Sequence, residues 1–282
     1  MPKRTAIVLG GTGFIGGNVR ARLAEDRPVH SFGSGDADLT NLEAVRRLLA
    51  EHGRDAQVVL CSSIGRTTED SYAAFLKNVA MARNVAEASA ECKAASLVYL
   101  SSTDVYGTPP AELPVTETTL PRPDTFYGAS KLSAESLIEL TIQRRIPAAS
   151  LRLPGIYGPG ERNRSIVNLF LDKARNGVPL TLSGGGTILR DYVFVHDLAE
   201  IIARFLDRPA SGVFNIATGA PISLRELAEA AFEVVGETPR INLDAARDSR
   251  SHDLVFDTKK LARHLGNFRF TPLKEAMRER LK

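Results

Sequence analysis

The stretch GGTGFIG, residues 10–16, sets Gly10, Gly13 and Gly16 at a spacing of three. It follows TAIVL (5–9), a short apolar run that reads as a buried strand, and it opens FIGGNVRARLAE, which carries apolar residues at helical spacing. A strand, a glycine turn and a helix in that order form a cradle for a pyrophosphate. Any side chain at the turn would block the close approach of the anion, and the first amides of the helix, those of Phe14, Ile15 and Gly16, supply donors and a positive dipole end. A glycine turn alone is a weak signal; here the flanking strand and helix make it a dinucleotide-binding turn.

Working outward, PVHSF (28–32), AQVVLCS (56–62), SLVYLSS (96–102) and PAASLRL (147–153) read as further strands. NLEAVRRLLAEH (41–52), capped by Thr40 or Asn41, the run at 70–89, and a segment at 126–145 read as the helices between them. Strict alternation of strand and helix predicts an α/β fold, a Rossmann-like doubly wound parallel sheet covered on both faces. After residue 155 the pattern loosens into loops such as NGVPLTLSGGG (176–186), mixed with strands and helices. The expected organisation is a dinucleotide-binding domain over residues 1–155. A smaller mixed α/β lobe over 156–282 would be mainly a substrate wall, with some return to the sheet.

An acidic residue at the end of the second strand would mark NAD by bonding the ribose hydroxyls. SFGSGDADLT (31–40) offers Ser34 between two glycines there, and no arginine to receive a 2′-phosphate. NAD against NADP stays open, with a lean to NADP. Ser34, Asp38 and Leu39 are the candidates for the adenosine side; the plainer reading of Asp38 is a loop acid before the next helix.

FYGASKLSAE (126–135) places Tyr127 and Lys131 one helical turn apart. Residues i and i+4 share a face, and a nearby ammonium favours the phenolate of a tyrosine that is otherwise a poor base. Such pairs are common and usually structural. With the glycine turn and the hydroxyls Ser101, Ser102 and Thr103 at a strand end, where open α/β sheets place ligands, the pair reads as a proton-transfer site.

The bulk properties exclude other classes. With 43% hydrophobic residues there is material for a core, and the net charge of +3 comes without a dense basic run, which argues against nucleic acid. No apolar run is long enough for a membrane span and no signal peptide is read. Cys61 and Cys92 in apolar surroundings suggest a reducing, cytoplasmic setting. His30, His52, His196, His252 and His264 show no metal spacing.

Taken together, GGTGFIG, YLSSTDVYG (99–107), YGASK (127–131), LRLPGIYGPG (151–160), RDYVFVHDLAE (190–200) and FNIATG (214–219) resemble, in order, an extended short-chain dehydrogenase/reductase of the NAD-dependent epimerase/dehydratase family. The resemblance implies catalysis by Ser102, Tyr127 and Lys131, with Lys131 also bonding the nicotinamide ribose, and an active-site asparagine at Asn78. It implies a nucleotide-diphosphate sugar as substrate, met by Ser102, Thr103, Asp104, Tyr127, by Arg190 at the diphosphate and by Arg250 or Arg247 at a second phosphate contact. The plainer reading of Arg190 is an ion pair with Asp191; Arg152 reads as structural. A homodimer through the helices near 75–90 and 128–145 is expected.

The chain departs from the family at three places: Gly155 stands where asparagine is frequent, CSSIG (61–65) replaces the usual H-x-A, and the second lobe is short. A dehydratase needs two acids where Ser102-Thr103-Asp104 has one, so dehydration is disfavoured. A 4-ketoreductase is preferred and a 4-epimerase is the alternative. A reductase of a non-nucleotide ketone and a dinucleotide-binding sensor without turnover are the remaining readings.

Overall fold

The computed structural model describes residues 3–161, 165–245 and 252–281. In chain order its elements are β1 (Ala6–Leu9), α1 (Phe14–Ala24), β2 (Val29–Phe32), α2 (Leu42–His52), β3 (Gln57–Leu60), α3 (Tyr72–Glu91), β4 (Ser96–Ser102), α4 (Phe126–Ile142), β5 (Ala148–Leu153), β6 (Gly155–Tyr157), α5 (Ile166–Arg175), β7 (Leu180–Ser183), β8 (Leu189–Arg190), β9 (Tyr192–Phe194), α6 (Val195–Asp207), β10 (Gly212–Asn215), β11 (Ile222–Ser223), α7 (Leu224–Val235), β12 (Ile241–Asp244), α8 (Lys259–Leu265) and α9 (Leu273–Arg280).

Six strands form one parallel sheet in the order β10-β5-β4-β3-β1-β2. Its inner strands are apolar without alternation because both faces are covered: every residue of β1, β3 and β4 is buried. On one face α1 and α6 close over the sheet, α6 contributing Leu198, Ile201, Ile202 and Phe205 at helical spacing. On the other, α2, α3 and α4 bury Val45, Leu49, Val85, Ile138 and Ile142. Burying each such side chain is worth about 1.5–3 kcal/mol, so the two layers fix the sheet that carries the site.

The chain runs from β1 outward to β2, then crosses back to β3 on the other side of β1. The crevice at the carboxyl ends of β1 and β3 is therefore the switch point at which such sheets take ligands. The amides of Cys61 and Ser62 donate to the carbonyl of Leu9 at 2.8 and 3.0 Å, so the loop leaving β3 lies against the glycine turn leaving β1.

The smaller lobe packs β6 on β9, β7 on β12 and β8 on β11 around a third core of Tyr157, Phe170, Leu227 and Phe232. α6 and β10 return to the main sheet, β10 pairing with β5. Two expectations shift at their edges. α4 ends at Ile142 rather than near 145, because Gln143 and Arg144 take left-handed backbone angles and the Arg145 guanidinium caps the carbonyls of Thr141 and Ile142. The single tail helix is two, α8 and α9.

Candidate active site

The glycine turn is tight for stated reasons. Gly10 has φ +92°, and a Cβ there would lie 2.7 Å from the Ser62 amide nitrogen. A Cβ on Gly16 would lie 2.1 Å from the Gly10 carbonyl oxygen. Gly13 differs: its backbone is ordinary, φ −80° and ψ 171°, and a Cβ would meet only the Gly10 carbonyl oxygen, at 3.3 Å. Gly13 is the N-cap of α1, which has no side-chain cap and no acid in its first turn, so its leading amides are aimed at open space.

That space is a cavity of about 380 Å³ lined by Gly10, Gly13, Ser34, Asp38 and Leu39 among others. It adjoins a second cavity of about 510 Å³ lined by Gly13, Phe14, Ile15, Ser102, Asp104, Tyr127 and Lys131. Thr12, Gly13, Cys61 and Ser63 line both. The glycine turn, the helix start and the two adjoining cavities of about 380 and 510 Å³ fit a dinucleotide.

Gly13→Val is expected to weaken dinucleotide binding at least about tenfold, or 1.4 kcal/mol, because the branched side chain fills the cradle while the backbone tolerates it. Titration of NAD(H) fluorescence against both proteins checks this; undiminished affinity would remove the cradle assignment.

Tyr127 sits in the first turn of α4, whose N-cap Thr125 accepts from the Gly128 amide at 2.9 Å. Lys131 follows one turn later, fully inside, with Nζ 5.5 Å from the centre of the Tyr127 ring, 4.9 Å from that of Tyr99, and donating to the Leu100 carbonyl at 2.7 Å. Burial drives the Lys131 ammonium down to about 8. The phenol moves against expectation. Burial, assisted by the charge of Asp104, pushes Tyr127 up to about 12, while the hydroxyls of Ser63 and Ser102 and the cation of Arg66 work the other way. Desolvation outweighs charge here, so in the protein alone Tyr127 is a phenol and a proton donor.

Ser102 ends β4, is buried, and accepts from the Asp104 amide at 3.1 Å. Asp104, raised by burial, pairs with Arg66 at 3.3 Å across the cavity wall. Ser63, Arg66 and Glu161 also line this cavity and were not singled out from the sequence; the unusual CSSIG run was the signal that pointed toward the first of them.

Some expected contacts are not in the cavities. Thr103 is buried in the turn after β4 and lines neither. Asn78 is buried with its amide spent on the backbone of Ile64 and on Ser130, so it orders a loop rather than reaching into a cavity. Gly16 lies beneath the turn. Asp38 lines the smaller cavity and also accepts from the Thr40 amide and hydroxyl at 2.9 and 2.7 Å, so its loop-acid reading holds as well.

Arg190 lies on β8 outside both cavities, its Nη1 donating to the carbonyls of Leu189 and His252. It does not pair with Asp191, whose carboxylate accepts from Thr218 and Gly219. Arg247 and Arg250 lie outside the described residues. Gly155 is required by packing, since a Cβ would strike the Tyr192 ring at 2.8 Å. No helix among the described residues is long and apolar enough to cross a membrane.

A parallel sheet with a glycine turn at its switch point and a Tyr–Lys–Ser group over the adjoining cavity is the arrangement of a dinucleotide-dependent enzyme. The chain belongs to the NAD dependent epimerase/dehydratase family, whose pattern matches residues 6–217. It is 31% identical to the dTDP-6-deoxy-L-talose 4-dehydrogenase (NAD(P)(+)) of Kitasatospora kifunensis, covering 99% of this chain and 94% of that one. It is 26% identical to the UDP-glucose 4-epimerase of Corynebacterium glutamicum, over 92% and 89%. The crystal structure of the Thermus thermophilus UDP-glucose 4-epimerase in complex with NAD superposes with a TM-score of 0.81 at 28% identity, over 98% and 97% of the two chains.

Proposed function

We propose that the chain transfers a hydride between NAD(P) and C4 of a nucleotide-diphosphate sugar, acting as a 4-ketoreductase, with a lean to NADP because Ser34 stands where a ribose-binding acid would. The observation that carries the reading is the placement of Tyr127, Lys131 and Ser102 in one cavity continuous with the glycine cradle. When bound, the nicotinamide supplies or takes the hydride. Ser102 holds the sugar oxygen by hydrogen bonding. Tyr127, held protonated by burial, donates its proton to that oxygen as it gains charge. Lys131 is fixed beside the phenol by the Leu100 carbonyl and places a cation where the ribose and the departing proton are handled. Arg190, on β8 outside both cavities with Nη1 committed to backbone carbonyls, would offer Nε and Nη2 only to the diphosphate of a substrate that reaches past the larger cavity.

The preference for reduction rests on the short second lobe and on Ser34 standing where a ribose-binding acid would hold NAD; a protonated Tyr127 suits the reductive step. The 4-epimerase reading uses the same residues and is supported by the similarity to UDP-glucose 4-epimerases. Denaturing the purified protein and assaying released cofactor separates them. A cofactor-free protein that reduces a nucleotide 4-ketosugar with added NADPH is expected. Stoichiometric retained NAD, with interconversion of two nucleotide sugars, would overturn the reductase reading in favour of the epimerase.

A further inference from the structure

We infer that Ser63 is a second hydroxyl of the proton-transfer site, a positioning residue for the Tyr127 phenol alongside Ser102. The inference deepens the proposed function and rests on its assignment of Tyr127 as the proton donor. It begins with the sheet. The loop leaving β3 is pinned at its start, where the Cys61 and Ser62 amides donate to Leu9, and again just past Ser63. There the Asn78 side chain grips both backbone groups of Ile64: Oδ1 accepts from its amide at 2.7 Å, and Nδ2 donates to its carbonyl at 3.0 Å.

The same Nδ2 reaches the Ser130 hydroxyl at 3.3 Å, and that hydroxyl donates to the Tyr127 carbonyl at 2.7 Å. One buried amide thus ties the residue after Ser63 to the turn of α4 that carries Tyr127. The loop is not free to drift from the phenol. Ser63 is one of four residues that line both cavities, and it lines the larger one together with Ser102, Tyr127 and Lys131. Its hydroxyl acts on Tyr127 in the same direction as that of Ser102, both favouring the ionised phenol. A serine in the CSSIG run therefore lines the cavity that holds Tyr127.

The expected consequence is a phenol whose ionisation depends on Ser63. The test uses full-length protein with difluorotyrosine in place of tyrosine, which brings phenol titration into a range where the fold is intact. Subtracting the spectrum of Tyr127→Phe isolates Tyr127. Losing one hydrogen bond to a charged group is worth about one pKa unit, 1.36 kcal/mol. Ser63→Ala should accordingly raise the Tyr127 titration so that ionisation is about tenfold less favourable, and Ser63→Thr should restore it. If Ser63→Ala leaves the titration unmoved, even with a lowered melting temperature, Ser63 is merely structural and the inference falls. The measurement needs no substrate. A failure to turn over any nucleotide sugar would sink the substrate reading while the titration still decides the role of Ser63.

Discussion

Tyr127→Phe should lower turnover by about 10²–10⁴-fold, the range lost when a positioned acid or base is removed, and leave dinucleotide affinity intact. The ring stays, so the packing of Lys131 over it, at 5.5 Å, survives. The first turn of α4 also survives, because the Tyr127 amide donates to Asp70 and its carbonyl accepts from Ser130, both through the backbone. Only the hydroxyl is lost, together with the proton it would give to the sugar oxygen. Steady-state turnover and fluorescence titration of NAD(P)H on the same preparation decide the matter. Unimpaired turnover would remove the proton-donor role, and a parallel loss of cofactor affinity would mean that the hydroxyl serves binding instead.

The pH dependence carries a sign. Lys131 is driven down to about 8 by burial, so the ammonium beside Tyr127 is present below that value and is lost as pH rises through it. Ketone reduction should fall on the alkaline side as that cation disappears. The same group affects stability in the opposite sense. A lysine whose folded pKa lies below its ordinary 10.5 opposes folding fully below about 8, and that cost fades as pH rises from about 8 toward 10.5. Activity and stability are therefore expected to move apart over one alkaline interval.

What the sequence made legible follows from range. β1 and β3 read as strands because AIVL and QVVL fill both faces of a parallel sheet, and contiguous burial leaves a contiguous apolar signature. Tyr127 and Lys131 were legible because a helix places i and i+4 together whatever surrounds it. Ser63 was not, since its position depends on Asn78 reaching from α3 to a loop, a relation with no local period. The same long-range bond explains why Asn78 looked like a site residue and serves as a clamp. Thr103 was misplaced by a change of geometry: after β4 the chain enters a tight turn, so Ser102 and Asp104 line the cavity and Thr103 points into the interior. The sign of the Tyr127 shift was missed because a sequence displays a lysine four residues on but not the burial that pushes the phenol up.

Removing the carboxylate of Glu135 should be the most destabilising single change near the site, at about 3–5 kcal/mol, the cost of leaving a buried charge without its partner. Glu135 lies one turn beyond Lys131 on α4 and is buried with Arg152 of β5. Arg152 Nη2 donates to Oε2 at 2.7 Å and Nε donates to Oε1 at 3.0 Å, a two-pronged pair. The pair is the hub of a chain of bonds. The Ser101 hydroxyl donates to Glu135 at 2.5 Å, Arg152 Nη1 donates to the Tyr106 hydroxyl at 2.8 Å, and that hydroxyl donates to Asn215 at 2.6 Å. Five elements (the end of β4, the turn after it, α4, β5 and β10) therefore meet on one ion pair, and the first four of them line the cavity. Glu135→Leu strands the guanidinium of Arg152 away from water, whereas Glu135→Leu combined with Arg152→Met removes both charges and should recover much of the loss, because a buried pair exchanged for apolar groups of similar volume is often near neutral. Urea midpoints for the wild type, the two single variants and the double variant give the coupling directly. If Glu135→Leu costs no more than an exposed pair, about 1 kcal/mol or less, the pair does not hold α4 against the sheet, and the placement of Tyr127 and Lys131 must come from the packing of α3 on α4 instead.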